Sequence, residues 1–156
     1  MYFVSPTKGI MSFEKMFDDI IQFIKQAPDE CYKLIIGTDS HTRDDICFVT
    51  AVIVHRQGKG ARYYYSKRKD RKITSLRHRI FYETSLSLSV ASRVYEKMAR
   101  DQRANLDIEI HIDVGQHGET RSLVKEIVGM VVGSGFDAKI KPDSFGASKV
   151  ADKHSK

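Results

Sequence analysis

The sequence predicts a single α/β domain, residues 1–156, built on one mixed sheet. Apolar and β-branched runs follow one another between Lys33 and Tyr65 with short polar breaks between them, the pattern of an antiparallel meander. Beyond Thr74 long stretches with helical spacing alternate with short strands, which implies crossover connections and parallel pairing. The chain has 156 residues, 41% of them hydrophobic, enough for one core of ordinary size.

Taken in order, residues 1–11 read as an irregular arm. Phe13, Met16, Phe17, Ile20, Ile21 and Ile24 recur at helical spacing behind Ser12, a side chain suited to cap a helix. This helix ends near Ala27-Pro28-Asp29, so residues 1–28 form an N-terminal arm and helix. Strands are predicted at Lys33–Ser40, at Ile46–His55 and from Arg62, with Gln57-Gly58-Lys59-Gly60 as the turn between the last two. Thr74–Arg100 contains neither Gly nor Pro and reads as a long helix, with Ile80, Thr84, Ser87, Ala91, Val94 and Tyr95 along its inner side. Asp107–Asp113 alternates as a fourth strand. Gly118–Val132 reads as a helix closed by Gly133 and Gly135, Phe136–Ile140 as a fifth strand, and Ser144 is placed to cap a final helix.

The net charge is +6, which favours an anionic partner, nucleic acid being the commonest. Nine Lys or Arg fall between Lys59 and Arg79 against one acidic residue, Asp70. The core of this run, Lys67, Arg68, Lys69, Arg71 and Lys72, is the candidate phosphate-backbone contact. Tyr63, Tyr64 and Tyr65 precede it and could offer a stacking surface. A solvated loop with the tyrosines packed on the sheet is the plainer alternative. Two cysteines, Cys31 and Cys47, fit no metal-ligand pattern and no disulfide framework. No stretch has the length of a membrane span or the form of a signal peptide, so a cytoplasmic protein without a membrane partner is expected.

Four acidic residues stand where chemistry could gather. Asp39 closes the first predicted strand and Asp113 the fourth. Glu83 borders the buried side of the long helix, and Asp152 lies on the last helix with His154 two residues beyond. In open α/β sheets, ligands bind beyond the carboxyl ends of strands where strand order reverses. Grouped carboxylates repel unless a cation or a proton intervenes. His41 and His111 each lie two residues from one of these aspartates. The Asp-x-His and His117-Gly118-Glu119-Thr120 elements lack the further residues that metallophosphoesterases and histidine phosphatases require.

The segments Gly37-Thr38-Asp39-Ser40, His111-Ile112-Asp113-Val114-Gly115, Gly118-Glu119-Thr120-Arg121, Gly133-Ser134-Gly135-Phe136, Lys139-Ile140-Lys141-Pro142-Asp143-Ser144 and Val150-Ala151-Asp152-Lys153-His154 resemble those of the YkuK-type ribonuclease H-like family of small bacterial domains. The resemblance covers the chain from about residue 30. It implies a ribonuclease H-like fold, a five-stranded mixed sheet in the order 3-2-1-4-5 flanked by helices, to which this chain adds an N-terminal helix. It also implies Asp39, Glu83, Asp113 and Asp152 as ligands of two divalent ions, Mg²⁺ or Mn²⁺. Glu96 is the alternative on the long helix, and His154 the alternative at the last position. The expected activity is metal-assisted phosphodiester hydrolysis of RNA or DNA, since hard carboxylate oxygens suit those ions. A nucleic-acid-binding or regulatory domain that keeps the fold without turnover is the competing expectation.

Overall fold

The computed structural model describes residues 1–42, 44–70, 73, 75–101, 106–144, 149–150 and 153–154. The elements run β1 (Phe3–Ser5), β2 (Gly9–Met11), α1 (Phe13–Gln26), β3 (Tyr32–Thr42), β4 (Ile46–Arg56), β5 (Ala61–Asp70), α2 (Leu76–Asp101), β6 (Asp107–His111), α3 (Val124–Gly133) and β7 (Asp137–Lys139). A single 3-10 turn, Arg121–Leu123, leads into α3.

One seven-stranded sheet has the order β2-β1-β5-β4-β3-β6-β7. Its five inner and right-hand strands, β5-β4-β3-β6-β7, are the predicted meander and crossovers in the expected order. The five-strand count is corrected to seven, because the N-terminal arm is a hairpin. Gly9, at φ +79°, closes its turn, and β1 docks on the β5 edge through Val4 opposite Tyr65.

α1 starts where Ser12 accepts the Lys15 amide at 3.2 Å, and its apolar side buries Met16, Phe17 and Ile20. Strand alternation then sorts the sheet into two faces. Leu34, Ile36, Val52, Val54 and Ile110 pack with α1, with Val90 and Val94 of α2, and with Ile127 and Val131 of α3. Each such aliphatic side chain contributes about 1.5–3 kcal/mol when fully buried. Ala51 and Ile53 point to the other face, where Val150 covers them beside Tyr63 and Tyr65. Val150 and His154, both helical, lie on the face opposite α1–α3. Along α2, Tyr95 is 61% exposed rather than inward. The expected start of α2 at Thr74 and the turn after Ser144 lie outside the described residues.

Candidate functional site

The site arises where two neighbouring strands part. β3 and β6 pair in parallel from Lys33 opposite Asp107 to Gly37 opposite His111, and there the ladder ends. β3 continues to Thr42, held by β4 through the pair Thr42–Ile46. The strand predicted to Ser40 thus runs two residues further, and Asp39 lies inside a paired strand. Asp113 lies two residues beyond β6. The two aspartates flank the opening between β3 and β6. This is also the point at which the chain, having built β4 and β5 to one side, crosses through α2 to the other, the topological position at which α/β sheets bind ligands.

α2 delivers the third carboxylate. Thr38, at an inward position of β3, bonds to Thr50 at 3.0 Å and to Ser87 of α2 at 2.8 Å, all buried. One turn earlier on α2 is Glu83, 5% exposed, whose Oε2 accepts the Ser40 hydroxyl. Burial above all, with Asp39 and Asp113 adding to it and Ser40 and Arg79 opposing, pushes the Glu83 carboxyl up to about 8. Glu83 therefore stands in the electrostatic field of both aspartates, and its proton is what relieves their repulsion. Glu96, thirteen residues along the helix and about 20 Å away at 1.5 Å per residue, is exposed.

A cation reaches the cluster from beyond β7. The β6–β7 ladder is prolonged by Ile112 N–H to Lys139 O and by Lys141 N–H to Val114 O, both at 2.9 Å. Lys141 Nζ lies 2.8 Å from Asp113 Oδ1. The ion pair raises the Lys141 ammonium, with Asp39 and Glu83 adding to the effect. Gly115 packs beneath the lysine: a Cβ there would stand 3.3 Å from Lys141 Cβ.

Sequence reasoning missed Lys141, although the alternation Lys139-Ile140-Lys141 was a signal for it. A second missed group lies next door on β6. His111 Nε2 and Glu109 Oε1 are 2.8 Å apart, and Glu109 pairs with Lys33 at 3.2 Å. Burial raises the Glu109 carboxyl, but His111 and Lys33 outweigh it and hold it below the ordinary range. Asp152 lies outside the described residues. His154 is not brought to the carboxylates. Its ring stacks on Tyr65 with centroids 4.0 Å apart and its Nε2 meets Tyr63 Oη at 2.9 Å. Burial lowers the His154 imidazole, and Lys153 and Lys67 lower it further.

The basic run is divided by the sheet. Lys67, Arg68 and Lys69 are exposed residues of β5. The cross-strand row Asp39–Val49–Lys67 puts Lys67 on the face of Asp39, two strands or about 10 Å away, and Lys69 shares that face. Arg68 falls on the other side, its guanidinium 5.8 Å from the Tyr82 ring centre. Arg71 and Lys72 lie outside the described residues. Tyr64 is fully buried toward α1, so of the three tyrosines Tyr63 and Tyr65 face the Lys67 side.

Asp39, Glu83 and Asp113 supply oxygen donors of the kind Mg²⁺ and Mn²⁺ take, and the raised Glu83 carboxyl marks a place short of positive charge. Among the described residues no three His, Cys, Asp or Glu already stand as a preformed coordination shell. Each of the three carboxylates has a partner within the chain instead: Asp39 accepts the Ser40 amide at 2.9 Å, Glu83 the Ser40 hydroxyl, and Asp113 pairs with Lys141. No helix among the described residues is long and apolar enough to cross a membrane.

Comparison with known proteins agrees with this architecture. The family model described as "Ribonuclease H-like" matches residues 15–156. The chain is 34% identical over 166 aligned positions to a Bacillus subtilis (strain 168) protein named "Uncharacterized protein YkuK", covering 99% of this chain and 96% of that one. No solved structure matches it. With its strand order, its crossover through α2 and a family match over nearly its whole length, the chain belongs to the ribonuclease H-like family.

Proposed function

We propose that the protein is a divalent-metal-dependent nuclease that hydrolyses phosphodiester bonds of RNA or DNA. One observation carries this reading. Glu83 is buried beside two other carboxylates, with a hydroxyl as its hydrogen-bond partner and its pKa raised to about 8. A buried carboxyl placed against like charges costs stability, and a site that collects cations accounts for it.

Asp39, Glu83 and Asp113 would hold Mg²⁺ or Mn²⁺, with Asp152 as the expected fourth ligand. When bound, such an ion polarises a phosphoryl oxygen and makes water a competent nucleophile near neutral pH. The protein's own groups do the rest. β3 and α2, tied by Thr38 and Ser87, fix Asp39 relative to Glu83. Lys67 and Lys69, on the face of Asp39, offer positive charge to the nucleic-acid backbone. A non-catalytic nucleic-acid-binding role is the second reading, and the Lys141–Asp113 ion pair favours it, since an ammonium already holds one of the carboxylates.

The deciding experiment is a cleavage panel of RNA, DNA and hybrid substrates with Mg²⁺ or Mn²⁺, run beside Asp39→Asn. Metal-dependent cleavage that falls more than about a hundredfold in the variant supports the nuclease, since groups that only support metal ligands already cost 10–100-fold when lost. Salt-sensitive binding without cleavage in either metal supports the second reading.

A further inference from the structure

Lys141 is placed with more care than a surface lysine needs. Its backbone amide is fastened to Val114 O at 2.9 Å, its stem lies over Gly115, where any side chain would crowd it, and its ammonium meets Asp113 at 2.8 Å. Asp113 is at the same time one of the three carboxylates around the β3–β6 opening. An ammonium and a divalent ion both need the carboxylate lone pairs, and like charges cannot share them closely. We propose that Lys141 is the internal counter-ion of the carboxylate site and sets its metal affinity: a divalent cation binds at Asp113 only by displacing the Lys141 ammonium.

The inference rests on the metal-binding role proposed above and deepens it. Lys141 is a positioning residue here. With no metal bound it holds Asp113 in place and offsets part of the negative charge of Asp39, and it selects against ions too weakly charged to dislodge it. The side chain is 57% exposed, so the displaced ammonium has water to move into.

The test is Mn²⁺ binding by calorimetry, with free Mn²⁺ followed independently by electron paramagnetic resonance, on the full chain and on Lys141→Met, Lys141→Arg and Asp113→Asn. Lys141→Met keeps the length of the stem and removes the charge. It is expected to bind Mn²⁺ about fivefold more tightly than the wild type, the scale of one partly exposed ion pair. Lys141→Arg, which keeps the charge, is expected within about twofold of the wild type, and Asp113→Asn is expected to lose tight binding. Equal or weaker binding by Lys141→Met, with the wild type binding normally, overturns the role of Lys141 and leaves the metal site intact. Absence of Mn²⁺ binding in the wild type and in Lys141→Met alike overturns the metal site itself.

Discussion

Asp19 on α1 and Glu83 on α2 are both buried acids on the same side of the sheet, each meeting a hydroxyl from a strand. Their surroundings differ in sign. Asp19 accepts the Tyr64 hydroxyl and pairs with Lys8 and with Arg62, the latter at 3.3 Å. Burial raises its carboxyl, but Lys8, Tyr64 and Arg62 outweigh that and hold it below the ordinary 3.8. Burial, and after it the bonded Asp19 carboxylate, push the Tyr64 phenol well above its usual value, against an opposing effect of Arg62. Glu83 has the Ser40 hydroxyl for a partner and Asp39 and Asp113 for neighbours, and its carboxyl rises to about 8. The Asp19 group is complete within the chain and serves the fold, tying β1–β2, α1 and β5 together. In the Glu83 group the Lys141 ammonium meets Asp113 rather than Glu83, and burial with two like charges prevails at Glu83; this is the group proposed to take a ligand.

The largest expected effect concerns pH. Unfolded chain loses the Glu83 proton near 4.5, whereas the folded protein keeps it to about 8. Between those values the folded state binds more protons, so the Glu83 contribution is present in full below 4.5 and is lost as pH rises to about 8. In chelator, Glu83→Gln is expected to remove this decline, on the order of 2–4 kcal/mol at pH 8, measured by urea unfolding at pH 5 and pH 8.5. An unchanged slope would place Glu83 in a balanced environment like that of Asp19. Asp19 has the opposite sign. Its contribution is present above its ordinary value and is lost as pH falls below it. Asp19→Ala is expected to cost about 2–3 kcal/mol at pH 7, because the Tyr64 hydroxyl loses its buried acceptor while the partly exposed Lys8 and Arg62 turn to water. The smallest effect belongs to Ser40→Ala. It removes the one contact that lowers the Glu83 carboxyl from within β3 and is expected to raise it by less than about one pH unit, read by following the Glu83 carboxyl carbon in an NMR titration. A lowered value would mean that Ser40 holds the protonated form.

How far the sequence disclosed this depended on whether a feature was local. The periodicity of α1, the β-branched β4 that is buried on both faces, and the Gly58 turn were plain, since neighbours in sequence decide them. The β1–β2 hairpin was not, because its strands have three residues each and are completed by pairing with β5, some sixty residues away. The extent of β3 was misjudged for a similar reason: His41 and Thr42 look like the start of a polar turn, and it is their pairing with Cys47 and Ile46 that keeps them extended. Asp39 and Asp113 were recognisable from their places near strand ends. That Glu83 is buried against them, and that Lys141 meets Asp113, depends on where α2 and β7 dock. The basic run read as one patch, yet the alternation of β5 sends Arg68 to the side opposite Lys67 and Lys69.

The central claim is that the Asp39–Glu83–Asp113 group is completed by a divalent cation. The direct measurement is thermal unfolding at pH 7.5 with increasing Mn²⁺, comparing the wild type with Asp39→Asn. Saturation to about a hundredfold above the dissociation constant adds about 2.7 kcal/mol, a rise of about 5–10 °C in Tm for a chain of this size. That rise is predicted for the wild type and its loss for Asp39→Asn. An equal rise in both proteins, or none in either, would contradict the claim.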